Sequence, residues 1–458
     1  MLIFGGKMMI YETYGTMKNI PQFLIAAPTS GSGKTTVSRG LMALLTKKGL
    51  AVQPFKCGPD YIDTKYHTAV CGRPSVNLDT FMASDEHVRQ LYAHYAADAD
   101  VAIAEGMMGM FDGYARDRGS SAGIAQLLDI PVVLVVDAKS AAYSVAPLLS
   151  GFIHFRPEIK VVGVIFNRVG SPRHYEMLQE VCTDLGITCF GYLPKQKTLE
   201  QESRHLGLDF NRSGVTDALD SLTDLLEQHV DWKLLLRQTT CPLPPAGSPE
   251  VPAHHPGTLH ITVARSEEAF SFLYAEHLDI LYRLGTVTFF NPEDDRPIPA
   301  DTDLLYLPGG YPEHRSAELA GALHTRESIR EYIERGGKAL AECGGMIYLS
   351  QAILHDATVV LPARADSMTG VFPFSISNEK ERRKLTLGYR QFTYNGQHLR
   401  GHEFHYTQFA ESNLTLSSVA QVCNAMGHPV ATPVFRYKNA IASYTHLYWG
   451  EIDLMSLF

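Results

Sequence analysis

The chain has little of what would place it outside the ordinary globular class. Its seven cysteines, at 57, 71, 182, 189, 241, 343 and 423, include no CxxC pair and no metal-finger spacing. That excludes a zinc ribbon, and an odd, scattered set suits a reducing cytosol better than a disulfide scaffold. No apolar run approaches the roughly 18 residues of a membrane span. The opening MLIFGGKMMIYETYG lacks the charge order and cleavage site of a signal peptide. A cytoplasmic protein without a membrane partner is expected. Positive charge is also scarce: a formal net charge of -9 gives no nucleic-acid footprint and opposes binding to anionic membranes. What remains, 45% apolar and 19% charged residues over 458 positions, describes a soluble globular chain long enough for two or three domains.

One stretch carries most of the information. Residues 28–36, PTSGSGKTT, lie between the apolar run Phe23-Leu24-Ile25-Ala26-Ala27, which reads as a buried strand, and Val37 to Leu45, an apolar-periodic helix. This is the context of a phosphate-binding loop, with the positive end of the helix facing the anion. Backbone N–H groups around Gly31, Ser32 and Gly33 converge on phosphate oxygens. Lys34 reaches the terminal phosphates, Thr35 offers its hydroxyl to Mg²⁺, and Thr36 completes the ATP-binding set. Pro28 stands where the generic pattern has its first glycine, so the loop is a variant. Thr29 occupies the place of the extra lysine of partition-type ATPases, and Asn167-Arg168 is not the NKxD motif of a GTPase.

Short apolar runs follow at Val101–Ala104, Val132–Val136 and Val161–Phe166, alternating with helical stretches in the pattern of a parallel sheet covered on both faces. A helical segment near Thr216 to His229 closes this part. Residues 238–257, with six prolines and little periodicity, read as a linker. Beyond them, runs at His260–Ala264, Asp303–Leu307 and Lys338–Ala341 restart the α/β pattern. The expected fold class is thus α/β in two domains: an extension over 1–21, a P-loop domain over 22–237, a linker over 238–257 and a second α/β domain over 258–455. No internal repeat is present.

The second half holds a candidate nucleophile. Cys343, in Ala341-Glu342-Cys343-Gly344-Gly345, follows a strand and precedes an apolar helix expected over Met346 to Leu354. Such a turn exposes a side chain at a helix N-terminus, where the dipole favours thiolate. Gly344 leaves its N–H accessible, and the turn Leu307-Pro308-Gly309-Gly310 offers a second oxyanion donor at Gly310. His446 is the candidate base. Alone, such a cysteine reads as an inert buried thiol. In the first half, Asp60 and Asp63 follow the second strand while Glu105 and Asp112 follow the next predicted one, where ligands bind in open α/β sheets. Asp60 and Glu105 are placed to join Thr35 around a hard cation. Asp63 and Asp112 could orient a substrate. His402-Glu403-Phe404-His405 has histidines three apart, not the four of HExxH, so packing near the second pocket is expected there and not zinc. Arg390 is left between an anion contact and a surface pair. Met107, Met108 and Met110 are read as loop or core filling before a contact with an apolar ligand.

The order strand, Gly-Gly turn, strand, Cys-Gly-Gly and late His resembles class I glutamine amidotransferase domains. That resemblance implies Cys343 as nucleophile and His446 as general base in glutamine hydrolysis. The usual Glu two residues after the His is replaced by Tyr448, which matches the cobyric/cobyrinic branch and leaves the partner of the imidazole open. Gly58-Pro59-Asp60-Tyr61-Ile62-Asp63, Glu105-Gly106-Met107-Met108-Gly109, Arg204-His205-Leu206-Gly207-Leu208, Glu342-Cys343-Gly344-Gly345 and Gly401-His402-Glu403-Phe404-His405-Tyr406 together resemble the cobyrinate/hydrogenobyrinate a,c-diamide synthase family over about residues 22–453. The resemblance implies a dethiobiotin-synthetase-like ATP domain, ATP as co-substrate with Mg²⁺, and amidation of a corrinoid's a and c acetates through an acyl phosphate. It further implies adenine recognition by Asn167 and substrate contacts by Tyr61, Asp63 and Asp112. Nickel-sirohydrochlorin and hydrogenobyrinate remain open as substrates beside cobyrinate, as does a distant regulatory ATPase. The partners implied are small molecules, with a homodimer allowed and the oligomeric state left open.

Overall fold

The structure, a computed structural model, describes residues 18–196, 213–244, 257–357, 362–411 and 416–458. The Arg204 to Leu208 motif lies outside the described residues. Strands β1 (Asn19–Ala26), β2 (Val52–Cys57), β3 (Val76–Leu78), β4 (Val101–Glu105), β5 (Val132–Asp137), β6 (Val161–Val169) and β7 (Thr188–Pro194) form one sheet in the order β3-β2-β4-β1-β5-β6-β7. Every neighbouring pair on that path is parallel. The reason is visible in β1, where side chains alternate between faces: Leu24 and Ala26 join one apolar cluster while Phe23 and Ile25 join the other. A strand buried on both sides needs helices on both sides, and each fully buried Leu, Ile or Phe contributes about 1.5–3 kcal/mol. Helix α1 (Lys34–Lys47) covers one face with Val37, Leu41, Leu44 and Leu45.

The sheet extends past its expected limits. β1 starts at Asn19, inside the anticipated extension, and β8 (Thr240–Pro242), inside the anticipated linker, pairs antiparallel with its first residues. Pairing against an available strand edge overrides the poor strand propensity of a proline-containing stretch.

The second unit is built on β9 (Leu259–Ala264), β10 (Gly285–Phe290), β11 (Leu304–Leu307) and β12 (Lys338–Glu342), joined late in the chain by β20 (Val434–Tyr437) and β21 (Ala440–Ser443). Their order is β10-β9-β11-β12-β21-β20, and only the β20–β21 pair is antiparallel. Two four-stranded sheets were not anticipated. One holds β13 (Ala352–His355), β14 (Arg364–Ser367), β15 (Ile376–Ser377) and β18 (Gln408–Phe409). The other holds β16 (Thr386–Tyr394), β17 (Gln397–His405), β19 (Cys423–Asn424) and β22 (Thr445–Tyr448). The helix expected over Met346 to Leu354 therefore runs only Gly344–Leu349, because Ala352–His355 pairs with Arg364–Ser367 and Ile376–Ser377 instead.

The two units meet through polar and apolar contacts. Ser84 donates from its N–H and hydroxyl to Glu451 at 2.7 and 2.6 Å, His87 meets Glu276 at 2.6 Å, and the Tyr389 hydroxyl donates to Asp79 at 2.6 Å. Phe272, Tyr274 and Tyr448 of the second unit belong to an apolar cluster of the first. Among the described residues no helix is long and apolar enough to cross a membrane.

Candidate active site

The phosphate loop sits at the carboxyl end of β1, where neighbouring strands lead their crossovers to opposite sides. Gly33 adopts φ 99°, and a Cβ there would lie 2.0 Å from the Asn167 amide nitrogen, so only glycine fits. Lys34 donates to the Met108 carbonyl, and burial together with Lys56 lowers its pKa. The Thr35 hydroxyl donates to Glu105 at 2.6 Å. Glu105 is fully buried and triply engaged: Lys56 lies 2.8 Å from one oxygen and His67 Nε2 lies 2.8 Å from the other. Burial pushes its pKa up, but Lys56 and His67 outweigh burial and hold the carboxyl well below its ordinary range. Lys56 also pairs with Asp63 at 2.6 Å, while burial and Glu105 push Asp63 up to about 6. Asp60 accepts the N–H groups of Ile62 and Asp63, both at 2.8 Å, and so orders its loop. Asp112 accepts the Gly109 N–H at 2.9 Å and is exposed near Lys34.

Glu105 is thus held by Lys56 and His67 against the Thr35 hydroxyl. Among the described residues no group of three or more His, Cys, Asp and Glu side chains is arranged as a metal cage. Mg²⁺ needs none, since it keeps waters and is held through one or two carboxylates plus phosphate oxygens. The donors near the loop, Thr35, Asp60 and Glu105, are all oxygen, and they fit that ion. Asn167 is 7% exposed, and its amide donates to the Ser32 carbonyl at 2.9 Å while its oxygen accepts the Arg168 N–H at 2.9 Å. The amide nitrogen thus braces the loop, while the oxygen is taken by the neighbouring residue of its own strand.

Cys343 occupies a strained turn with φ 44° and ψ −99°, directly after β12. A non-glycine residue at positive φ is uncommon and is kept where the surroundings over-determine it. Here the Cys343 N–H donates to the Ser443 carbonyl at 2.7 Å. The thiol donates to the Phe404 carbonyl at 3.6 Å. Burial pushes its pKa well up, with Glu313 and Glu403 adding, while the N–H groups of Gly344 and Gly310 pull the other way. The thiolate expected from a helix N-terminus is overturned: the helix has six residues and burial dominates. The Gly344 and Gly310 N–H groups both act on the Cys343 sulfur, and a Cβ on Gly344 would lie 2.9 Å from the Gly310 nitrogen.

His446, on β22, packs against Gly309, where a Cβ would meet its ring at 2.0 Å. The imidazole is fully buried and neither nitrogen has a hydrogen-bond partner. Burial lowers its pKa to about 3, with His402 and His405 adding. Resting His446 is therefore neutral, as a general base must be. Tyr448 does not orient it, because the Tyr448 hydroxyl donates to Glu276. The imidazole is held instead by the ladder pairing His402↔His446 and by the rings of Tyr61 and Phe272, whose centroids lie 5.1 and 5.7 Å away.

Between the two centres lies a cavity of about 590 Å³. The first unit contributes Asp60, Tyr61, Met107, Met108 and Tyr114; the second contributes Phe272, Tyr389, Arg390, His402 and Phe404. Its walls touch both centres: Met108 holds Lys34, Phe404 holds the Cys343 thiol, and Tyr61 stacks on Phe272 at 4.9 Å with 6° between planes. Met107 and Met108 line this cavity, whereas Met110 is core. Arg390 is no surface residue: it is 7% exposed and pairs with Glu403, which also meets His405 at 2.8 Å and Thr432 at 2.7 Å. Lys195 is exposed. The sequence reading missed Lys56, His67 and Glu313. Lys56 and His67 flank motifs it quoted, but only the fold brings both to Glu105.

A glycine-rich phosphate loop in one unit, and in the other a Cys343-Gly344-Gly345 turn with a buried His446, define a protein of the nucleotide-binding and glutamine amidotransferase class. Residues 23–208 match the family described as a CobQ/CobB/MinD/ParA nucleotide binding domain, and residues 260–453 match a CobB/CobQ-like glutamine amidotransferase domain. Over whole chains, it is 39% identical to the cobyrinate a,c-diamide synthase of Caldanaerobacter subterraneus, covering 93% of this chain and 94% of that protein. It is also 39% identical to the hydrogenobyrinate a,c-diamide synthase of Brucella ovis, covering 93% and 98%, and 35% identical to the cobyrinate a,c-diamide synthase of Salmonella typhimurium, covering 94% and 95%. The chain belongs to the cobyrinate/hydrogenobyrinate a,c-diamide synthase family.

Proposed function

We propose that the protein is an ATP-dependent, glutamine-hydrolysing ligase that converts the a and c acetate carboxylates of cobyrinate to amides in cobalamin biosynthesis. The observation that supports this reading is the cavity whose wall residues Met108 and Phe404 bond to Lys34 and to the Cys343 thiol; a carboxylate-bearing macrocycle held there would lie near both the phosphate loop and the ammonia source. Cys343 attacks the glutamine amide carbon, and its proton passes to neutral His446 and on to the leaving ammonia. The N–H groups of Gly310 and Gly344 stabilise the oxyanion, and water then releases glutamate from the thioester. At the other centre the substrate carboxylate attacks the γ-phosphorus of ATP, giving ADP and an acyl phosphate. Lys34, freed from Met108, and the N–H groups of the loop at Gly31, Ser32, Gly33 and Thr36 stabilise the transferred charge. Thr35, with Asp60 and Glu105 nearby, would hold Mg²⁺, which would supply positive charge against the transferred phosphoryl group. Lys56 and His67 keep Glu105 ionised and aimed at Thr35. Ammonia crosses the layer of Tyr61, Phe272, His402 and Phe404, attacks the acyl carbon and displaces phosphate.

Met107, Met108, Tyr114 and Tyr389 offer the adaptable apolar surface that a macrocycle face requires, with Asp112 on the loop of the two methionines and Tyr61 and Asp63 after the neighbouring strand to orient it. Hydrogenobyrinate is the second reading, favoured by the equal identity to the Brucella ovis relative. A regulatory ATPase is disfavoured by the second domain and by full-length identity. Side-by-side assays with cobyrinate, hydrogenobyrinate and nickel-sirohydrochlorin, counting amides by mass, test the substrate. Two amides on cobyrinate is the expected product, and no ATP-dependent mass change on any of the three contradicts the reading.

A further inference from the structure

Beside Cys343 lies a carboxyl group that neither centre uses. Glu313 falls in the turn Pro312–His314, three residues after Gly310, and this turn packs against the helix Gly344–Leu349 that follows the cysteine. The side chain is 7% exposed, and its Oε2 has no hydrogen-bond partner. Its charge helps to raise the pKa of the Cys343 thiol and of Tyr311 and Tyr444. Arg383, whose charge acts on it, is exposed and forms no ion pair with it among the described residues. Burial accordingly pushes its pKa up to about 7.

A buried carboxylate oxygen without a donor is costly, and native structures keep such a group where something else supplies the donor. A small ligand that brings a cationic donor to the Cys343 thiol would supply that partner. Glutamine carries one: the α-ammonium at the far end of the side chain whose amide the thiol attacks. We propose that Glu313 accepts the α-ammonium of glutamine and so makes the site specific for the free α-amino acid. The inference rests on the reading that Cys343 hydrolyses glutamine. The pairing places a charge-assisted hydrogen bond in a desolvated pocket, and it leaves the acceptor unpaired when a ligand lacks the ammonium. Loss of such a contact is worth about 10- to 100-fold in kcat/KM.

The test uses the full-length enzyme with L-glutamine and with glutaramate, the same amide without the α-ammonium. Wild type is expected to prefer glutamine by about 10- to 100-fold. Glu313→Gln should erase most of that preference by weakening glutamine and not glutaramate, chiefly through KM, while ammonia-dependent amidation persists and reports folding. If Glu313→Gln loses ammonia-dependent amidation as well, Glu313→Asp is measured in its place, and an intermediate preference is expected. Equal use of both amides by wild type, or an unchanged preference in the folded variant, overturns the proposal. Glutamine hydrolysis that survives Cys343→Ala would overturn the underlying reading instead, and the two failures are therefore distinct.

Discussion

Removing the Lys56 ammonium should expose how the phosphate site is assembled. Lys56 is 3% exposed and lies 2.8 Å from Glu105 and 2.6 Å from Asp63, while Glu105 is fully buried. In Lys56→Met the apolar stem is kept, but a buried carboxylate loses its main counter-charge and retains only His67 and the Thr35 hydroxyl. Breaking one side of a buried ion pair costs about 3–5 kcal/mol, mostly the penalty of the charge left behind. Neutralising that charge as well, in Lys56→Met/Glu105→Gln, should therefore recover roughly 1–3 kcal/mol relative to the single variant. Equilibrium urea denaturation of both singles and the double measures this cycle. A loss below about 1 kcal/mol for Lys56→Met, or strictly additive costs in the double, would show that Lys56 does not hold Glu105 ionised. The same single variant should lose ATP-dependent amidation, because Glu105 would no longer be fixed against Thr35.

Other consequences follow from the same geometry. Asp60→Ala and Glu105→Ala should each stop ATP-dependent amidation while glutamine hydrolysis at Cys343 continues; normal amidation in either variant removes that residue from the site. Tyr61→Ala should open the layer between the centres, so that glutamine consumed per amide formed rises several-fold, and an unchanged ratio would exclude Tyr61 from the ammonia path. His446 and His402 have pKa values lowered by burial to about 3 and about 4, so the unfolded chain binds more protons than the folded one below pH about 6.5. Their contribution to stability is complete above that pH and is lost as pH falls. Between pH 6.5 and 5 each should cost about 2 kcal/mol, and His402→Gln should flatten the denaturation profile by that amount.

Much of this site is written locally in the chain. The glycines around Lys34 and the Cys343-Gly344-Gly345 turn are legible because each needs a particular backbone conformation, and strand ends mark where Asp60 and Glu105 fall. The charge state of these groups is not local. Cys343 reads as an activated thiolate from its helix N-terminus, yet burial among Glu313 and Glu403 keeps it protonated. Glu105 reads as a neighbour of Thr35 around a cation, but that Lys56 and His67, on different elements, hold it there comes only from the fold. The short strands from Ala352 onward carry no clear period, so an apolar run read as helix pairs as sheet. Tyr61 is drawn toward the substrate by its neighbours in sequence, but its stacking on Phe272 and its place beside His446 come from the meeting of the two units.

The central claim is that nitrogen release and carboxylate activation occur at separate centres served by one cavity. Cys343→Ala, assayed with glutamine and with ammonium salts as alternative nitrogen sources, tests it most directly. The account predicts that glutamine-dependent amidation is abolished while ammonia-dependent, ATP-dependent amidation stays near the wild-type rate. Equal loss with both nitrogen sources would contradict it.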